Sequence, residues 1–177
     1  MANSGELNFN SLNRVIDIVN ARIGPDFHYT IDINGFDEFL FNTNDLSDVD
    51  IDTLRTINKA SSEWHSYIVN LTSLLAMSLD RYSNMVDIYN YLTSISVKNV
   101  DLFQLSAPKY KIDATNVPYA IKIVEQKTKE YSLLVKNIKI LIGKLESYDA
   151  YSVSIYFKTS GLIRSIERRQ RNYAFAY

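Results

Sequence analysis

The longest regular apolar repeat of the chain lies within residues 51–96, which no helix breaker interrupts. Its apolar and small side chains recur at alternating intervals of four and three residues, which places them on one side of an α-helix. Neither Gly nor Pro occurs in it. We therefore expect one helix far longer than an average globular helix, as in a coiled-coil arm. The repeat consists of Ile57, Ser61, Trp64, Ile68, Leu71, Leu75, Ser78, Tyr82, Met85, Tyr89 and Leu92.

A second repeat follows a connector, residues 106–116, that contains Pro108. Asn116 is predicted to cap the second helix, with Pro118 in its first turn. The repeat consists of Val117, Ile121, Val124, Thr128, Tyr131, Val135, Ile138, Ile142 and Leu145. A looser third series continues to Tyr173, and Gly161 is expected to kink or break it.

These repeats predict a mainly α protein, in which a long antiparallel helical hairpin forms a coiled-coil-like bundle. The last segment is expected to return along the bundle or to pack onto a neighbouring subunit. Further apolar residues lie beside both repeats and widen the apolar stripe beyond the needs of two helices. We therefore expect that either a third helix or additional subunits cover the stripe, and we favour the additional subunits of a homo-oligomer. These residues are Leu74, Leu79, Val86, Ile88, Leu134, Ile140 and Leu141.

Residues 1–46 are predicted to form a small N-terminal subdomain, separate from the helical part, residues 47–177. Within it, residues 7–23 fit a short amphipathic helix. Residues 27–41 alternate between apolar and polar side chains around Asn34-Gly35, which predicts a β-hairpin. The buried face of this hairpin is expected to hold Phe36, Phe39 and Phe41.

The two halves of the chain carry opposite charge. Residues 1–107 have six basic and fourteen acidic residues, whereas residues 108–177 have thirteen basic and six acidic residues. A basic half on a near-neutral protein indicates a polyanion as partner, or the acidic half of a second copy. The chain has no Cys, no secretory signal and no apolar run of membrane-spanning length, so we expect a cytoplasmic protein without a membrane partner.

No catalytic constellation can be assembled from the sequence. The two histidines, His28 and His65, are isolated, and none of the common phosphate-binding, metal-binding or nucleophile motifs occurs. The acidic run around Asp50 lacks the central Gly and the terminal Glu of a calcium loop. It fits a polar linker better, in which Ser47 and Asp50 resemble a capping box for the first long helix. We therefore expect a protein that is not an enzyme and that needs neither a cofactor nor a metal ion.

The basic half carries the candidate binding residues. Three lysines lie seven residues apart, so they form a line on one helix face, and four arginines crowd into the C-terminal segment before an aromatic tail. Cations that neutralise phosphates, with rings that stack on bases, are what single-stranded nucleic acid requires. The predicted nucleic-acid-binding residues are Lys122, Lys129, Lys136, Lys139, Lys144, Arg164, Arg168, Arg169, Arg171 and Tyr173.

Two plainer interpretations stay open. A lysine line opposite an apolar stripe is also the ordinary solvated face of a helix. The aromatic tail could instead add an edge strand or fill a gap in a neighbouring subunit. Its members are Tyr173, Phe175 and Tyr177.

From about residue 51 onward, the layout resembles that of the phage UvsY-type recombination mediators. The similarity consists of a long first helix with Trp64 near its start and Tyr89 and Tyr91 near its far end, a connector, a Lys-bearing second helix, and the segment at residues 161–169. This resemblance implies a small helical phage protein that binds single-stranded DNA, forms ring-like homo-oligomers and helps to load a recombinase.

One departure from the family concerns its DNA-binding site. In that family, basic residues near the far end of the first helix contribute to the binding of DNA, whereas this chain has Asp80, Arg81 and Asp87 there. The activity would therefore have to rely on the second helix and the C-terminal arginines. Two alternatives remain: a phage structural or assembly protein held together by opposite charges and apolar helix faces, or an anti-defence inhibitor whose acidic part binds a host nuclease complex.

Overall fold

The computed structural model describes Phe39, Leu46 and residues 48–174, with side chains as far as Asn172. Within these residues all regular structure is helical and no strand occurs. Helix α1 comprises Ile51–Lys98 and helix α2 comprises Val100–Ser106. A 3₁₀ turn at Ala107–Tyr110 leads into the connector before helix α3, Val117–Ala174. The prediction of a mainly α protein with a long helix pair is therefore confirmed.

The first long helix begins one residue after its cap. The Asp50 carboxylate accepts hydrogen bonds from the backbone N–H groups of Asp52 and Thr53, both at 3.0 Å, and from the Thr53 hydroxyl at 2.6 Å. These bonds, with that of the Thr53 hydroxyl foremost, lower the pKa of the Asp50 carboxyl below its ordinary value. The cap is thus Asp50 itself, whereas Ser47 of the predicted capping box lies outside the described residues.

The turn between the long helices is fixed by two further caps. The Asn99 side chain accepts from the N–H of Leu102 at 3.0 Å and so starts α2. The Asn116 side chain accepts from the N–H of Tyr119 at 3.2 Å, which confirms its predicted role at the start of α3. Between them, Lys111 ends the 3₁₀ turn in the left-handed region, at φ 60°.

Helix α3 continues without a break through Gly161 for 58 residues. The expectation of a break at Gly161 and of a last segment that returns as a separate element is therefore wrong, whereas a kink at Gly161 and packing onto a neighbouring subunit stay predictions. A Gly in a helix interior costs only about 1 kcal/mol relative to Ala, which the remaining backbone bonds and the packing of α3 offset. As a consequence, Arg164 and its basic neighbours belong to α3 itself.

The chain divides into two compact units, and each contains a part of both long helices. The described part of unit A is Leu75–Leu141, and that of unit B is Phe39, Leu46, residues 48–74 and residues 142–174. The predicted domain boundary after residue 46 falls at the edge of the described residues and stays a prediction. The predicted N-terminal helix lies outside them, as does the β-hairpin except for Phe39, whose backbone is helical.

Unit A has an apolar core with an aromatic stack. Tyr131 of α3 lies between two tyrosines of α1, with ring centroids 5.7 Å from Tyr82 and 5.5 Å from Tyr89. Burial, followed by the proximity of Tyr131, raises the pKa of the Tyr89 hydroxyl. The helices run antiparallel, and α2 and the connector close the end of their core with Phe103 and Ile112. Unit A thus confirms the predicted apolar repeats.

Unit B has a polar seam between the same two helices. Ser61, Ser152 and Thr159 are completely buried there. The Asn58 amide nitrogen lies 2.8 Å from the Thr159 hydroxyl, 2.9 Å from the Ser160 hydroxyl and 2.9 Å from the Tyr156 carbonyl. Small side chains let the two helices approach closely, and directional hydrogen bonds replace part of the apolar packing.

Candidate nucleic-acid interface

Three exposed arginines line one depression on α3 in unit B. Arg164 and Arg168, four residues apart, lie on the same side of the helix, and Arg169 is turned by about 100° from Arg168. The depression has a volume of about 400 Å³. Its described lining is Gly161, Arg164, Ser165, Arg168, Arg169 and Asn172. This surface, called the arginine face below, is open and lacks the enclosed shape of a small-molecule pocket.

The only acidic residue of this segment is engaged elsewhere. Glu167 forms an ion pair with Arg55 of α1 at 3.0 Å, and its carbonyl accepts from Arg171 at 3.4 Å. The bond to Glu167, and then the bond to Asp52, raises the pKa of Arg55. Within the described part of the chain, no carboxylate forms an ion pair with Arg164, Arg168 or Arg169. The arginine face therefore keeps an uncompensated positive charge.

An aromatic side chain continues the arginine face toward the N-terminus of α3. Phe157, Gly161, Arg164 and Arg168 recur at intervals of four, three and four residues, which puts them in one line. The Phe157 side chain is 67% exposed and meets the ring of Tyr156 edge-on at 5.6 Å. The spacing of Phe157 relative to the arginines is readable from the sequence, but its exposure is not, and the sequence-based prediction of aromatic contacts was confined to the C-terminal tail. The predicted tail residue Tyr173 has no described side chain.

Four of the five predicted lysines belong to unit A, whereas the arginine face belongs to unit B. Lys122, Lys129, Lys136 and Lys139 are exposed on α3 in unit A. Lys144, in unit B, is half-buried. The exposed lysines alternate with large exposed apolar residues, of which Leu133 is 57% exposed. A phosphate backbone requires cations but gains nothing from such interleaved aliphatic groups, so this face differs in chemistry from the arginine face.

A histidine–aspartate pair bridges the helices in unit B. His65 Nδ1 lies 2.6 Å from Asp149 Oδ1, beside a depression of about 230 Å³ that Tyr156 and Phe157 also line. The buried Ser61 hydroxyl donates to the Ile57 carbonyl instead of the histidine. Across the described residues, no cluster of three His, Asp or Glu side chains is arranged to hold a metal ion.

Comparison with protein-family models, with curated proteins and with solved structures found no match for this chain. A search of the described helices for a segment of sufficient length and apolarity to cross a bilayer found none.

Proposed function

We propose that this chain is a non-catalytic, homo-oligomeric accessory protein of a phage that binds single-stranded DNA through its arginine face. The observation that carries the proposal is the set of three exposed arginines that share one depression while their acidic neighbour Glu167 is paired with Arg55. Guanidinium groups bind phosphate oxygens through paired N–H donors, and they remain charged at all physiological pH values. A recombinase or another phage or host protein is the protein partner that the resemblance to recombination mediators suggests.

Phe157 favours single strands over duplex DNA as the ligand. An exposed ring in line with arginines can stack on an unpaired base while the arginines hold the adjacent phosphates. In a duplex the bases are stacked on one another, and a ring on a convex helix surface has no access to them. The described lining of the face holds a single amide group, that of Asn172, and no carboxylate, so we expect little sequence preference.

Fluorescence anisotropy of a labelled oligonucleotide across a salt series tests the proposal. If three arginines neutralise three phosphates, the logarithm of the binding constant falls with the logarithm of salt concentration with a slope of about −2. Replacement of all three arginines, Arg164→Glu, Arg168→Glu and Arg169→Glu, is expected to abolish binding while the circular dichroism of the helices stays unchanged.

A matched triple variant distinguishes the effect of the arginine face from the effect of a general change in net charge. Lys98→Glu, Lys109→Glu and Lys111→Glu make the same change of net charge at exposed positions of unit A that are not among the predicted binding residues. This variant is expected to retain most of the affinity. The proposal would be contradicted by an equal loss of DNA affinity in both triple variants. It would also be contradicted if the unaltered protein did not bind DNA at low salt. Phe157→Ala should weaken single-strand binding by about 1–3 kcal/mol and leave any duplex binding unchanged.

An assembly protein without nucleic-acid affinity is the second candidate. The observation that favours it is the number of large apolar side chains exposed in unit A, among them Met77, Tyr119 and Leu133. Mass photometry with and without a single-stranded oligonucleotide separates the two candidates. An assembly protein forms the same oligomers in both samples and carries no bound DNA.

A further inference from the structure

The outer face of α1 in unit A carries a regular, exposed stripe. Met77, Asp80, Asn84, Asp87 and Tyr91 follow one another at intervals of three and four residues, so they form one line along the helix. All five are exposed, Met77 to 70% and Tyr91 to 50%. In the described part of the chain neither aspartate forms an ion pair. We call this line the acidic stripe.

Helix α3 carries the counterpart of this stripe. Tyr119, Lys122, Gln126, Lys129 and Leu133 have the same alternation of three and four residues, and all five are exposed. Tyr119 is 62% exposed. Among the described residues these two lysines likewise have no ion-pair partner. We call this line the lysine stripe.

The two stripes have the same order of side-chain types with opposite charge. Each reads apolar, charged, amide, charged, apolar, and the amide residue, Asn84 or Gln126, is the centre of its stripe. Lysine and aspartate at matching intervals of seven residues are what an interface between two helices uses to select its partner. The apolar residues at both ends supply the contact area. The Gln126 amide nitrogen donates to Glu130 Oε1 at 3.0 Å within α3, and its carbonyl oxygen can accept a hydrogen bond from the Asn84 amide.

The stripes cannot meet within one copy. Helix α1 turns Tyr82, Tyr89 and Leu92 toward α3, and at 100° per residue its acidic stripe falls on the opposite side. Helix α3 turns Val124 and Tyr131 toward α1, and its lysine stripe likewise points away. Within unit A the stripes therefore occupy the two outer edges of the helix pair.

We infer that the lysine stripe of one copy binds the acidic stripe of a second copy of this chain, with the two helices antiparallel. This alignment places Asp80 opposite Lys129 and Asp87 opposite Lys122, with Asn84 opposite Gln126. The outer contacts are Met77 with Leu133 and Tyr91 with Tyr119. The inference deepens the homo-oligomeric part of the proposed function by naming its interface, and it does not depend on the binding of DNA.

The antiparallel alignment shifts neighbouring copies along the helix axis. Inside one copy Tyr131 is level with the midpoint between Tyr82 and Tyr89, as its two ring contacts show. In the proposed contact Asn84 is level with Gln126 of the next copy, a difference of about six residues, or roughly 10 Å along the helix. Each copy uses one edge to bind and offers the other edge to the next copy. Such a heterologous contact extends past a dimer, into a closed ring or a filament.

Charge reversal on each stripe tests the interface. Asp80→Lys with Asp87→Lys, and separately Lys122→Glu with Lys129→Glu, place like charges opposite each other. Each double variant is expected to become monomeric in size-exclusion chromatography with light scattering, at a protein concentration where the unaltered protein is oligomeric. A control for the aspartate variant, Asp101→Lys with Glu146→Lys, makes the same charge change at exposed positions outside the stripes. It should keep the oligomer.

Mixing provides the decisive readout. The two double variants have complementary stripes again when combined, so an equimolar mixture is expected to recover oligomers in which the variants alternate. The quadruple variant should assemble alone. If the unaltered protein is monomeric at all concentrations, if the double variants keep its mass, or if mixing restores nothing, the inference is overturned. These samples contain no nucleic acid, and DNA binding by each variant is measured separately by anisotropy. Failure of the proposed interface can therefore be told apart from failure of the proposed DNA binding.

Discussion

Arg55 and Glu167 join α1 to α3 through a contact of 3.0 Å between the Arg55 Nη2 atom and the Glu167 Oε1 atom. The same guanidinium also forms an ion pair with Asp52 at 3.1 Å, so Arg55 pairs with two carboxylates. Glu167 lies between Arg164 and Arg168 in sequence, where an unpaired carboxylate would offset their charge. The pair therefore places a compensating positive charge beside the one carboxylate of the arginine segment.

Glu167→Gln is expected to raise the affinity for single-stranded DNA. It removes the one negative charge of the segment and leaves Arg55 paired with Asp52 alone, while an exposed ion pair contributes little to folding. The melting temperature should therefore stay nearly constant. Anisotropy at two salt concentrations measures the effect, which should shrink as salt screens the charges. Unchanged affinity at low salt would show that the ligand does not sense this part of α3.

Asn58→Ala is expected to lower the free energy of unfolding by about 1–3 kcal/mol, because buried hydroxyl and carbonyl groups lose their amide donor. Urea titration followed by circular dichroism measures the change. Asn70→Ala, at an exposed position of the same helix, is the control and should have no destabilising effect. Equal behaviour of the two variants would mean that the bonds of Asn58 do not stabilise unit B.

Tyr131→Ala is expected to destabilise unit A by about 2–4 kcal/mol, since it removes a ring packed between Tyr82 and Tyr89. Tyr131→Phe keeps the ring and should retain most of the stability. Thermal unfolding of the two variants side by side gives the comparison. A phenylalanine variant as unstable as the alanine variant would assign the effect to the hydroxyl group instead of the stack.

The cap of α1 gives a defined pH dependence. Because the pKa of the Asp50 carboxyl is lowered on folding, its stabilising effect is complete above the ordinary value of 3.8 and is lost as pH falls through the lower, folded value. Asp50→Asn keeps a capping side chain that does not titrate. Below pH 3.8 the unaltered protein should lose stability more steeply than this variant. Parallel curves between pH 6 and pH 2 would contradict the assignment.

The extent of the first long helix was predictable because two independent signals agree. The apolar repeat and the absence of breakers indicate a helix over residues 51–96, and α1 comprises Ile51–Lys98. The cap at Asn116 was predictable for a similar reason, since a capping residue stands before a Pro in the first turn. The segment Val100–Ser106 is too short for a period to show, so no helix was predicted there, and the predicted connector covers only residues 106–116.

The candidate site was predictable in its residue types more than in its arrangement. The cluster of arginines is visible in the sequence, but their position on a continuous α3 depends on Gly161 remaining helical, which propensity alone disfavours. The role of Asn58 was not predictable, because it lies next to the apolar repeat and its acceptors are about a hundred residues away. Phe157 was missed for lack of any signal that it is exposed.

The polar seam of unit B restricts how the two helices can slide. A shift of one turn, about 5.4 Å, would carry the Asn58 amide away from the oxygens of Thr159 and Ser160, whereas aliphatic side chains would simply find new neighbours. Misaligned hairpins are thus penalised in unit B by lost directional bonds. A chain built from long repetitive helices thereby acquires a single preferred alignment from a few small polar groups.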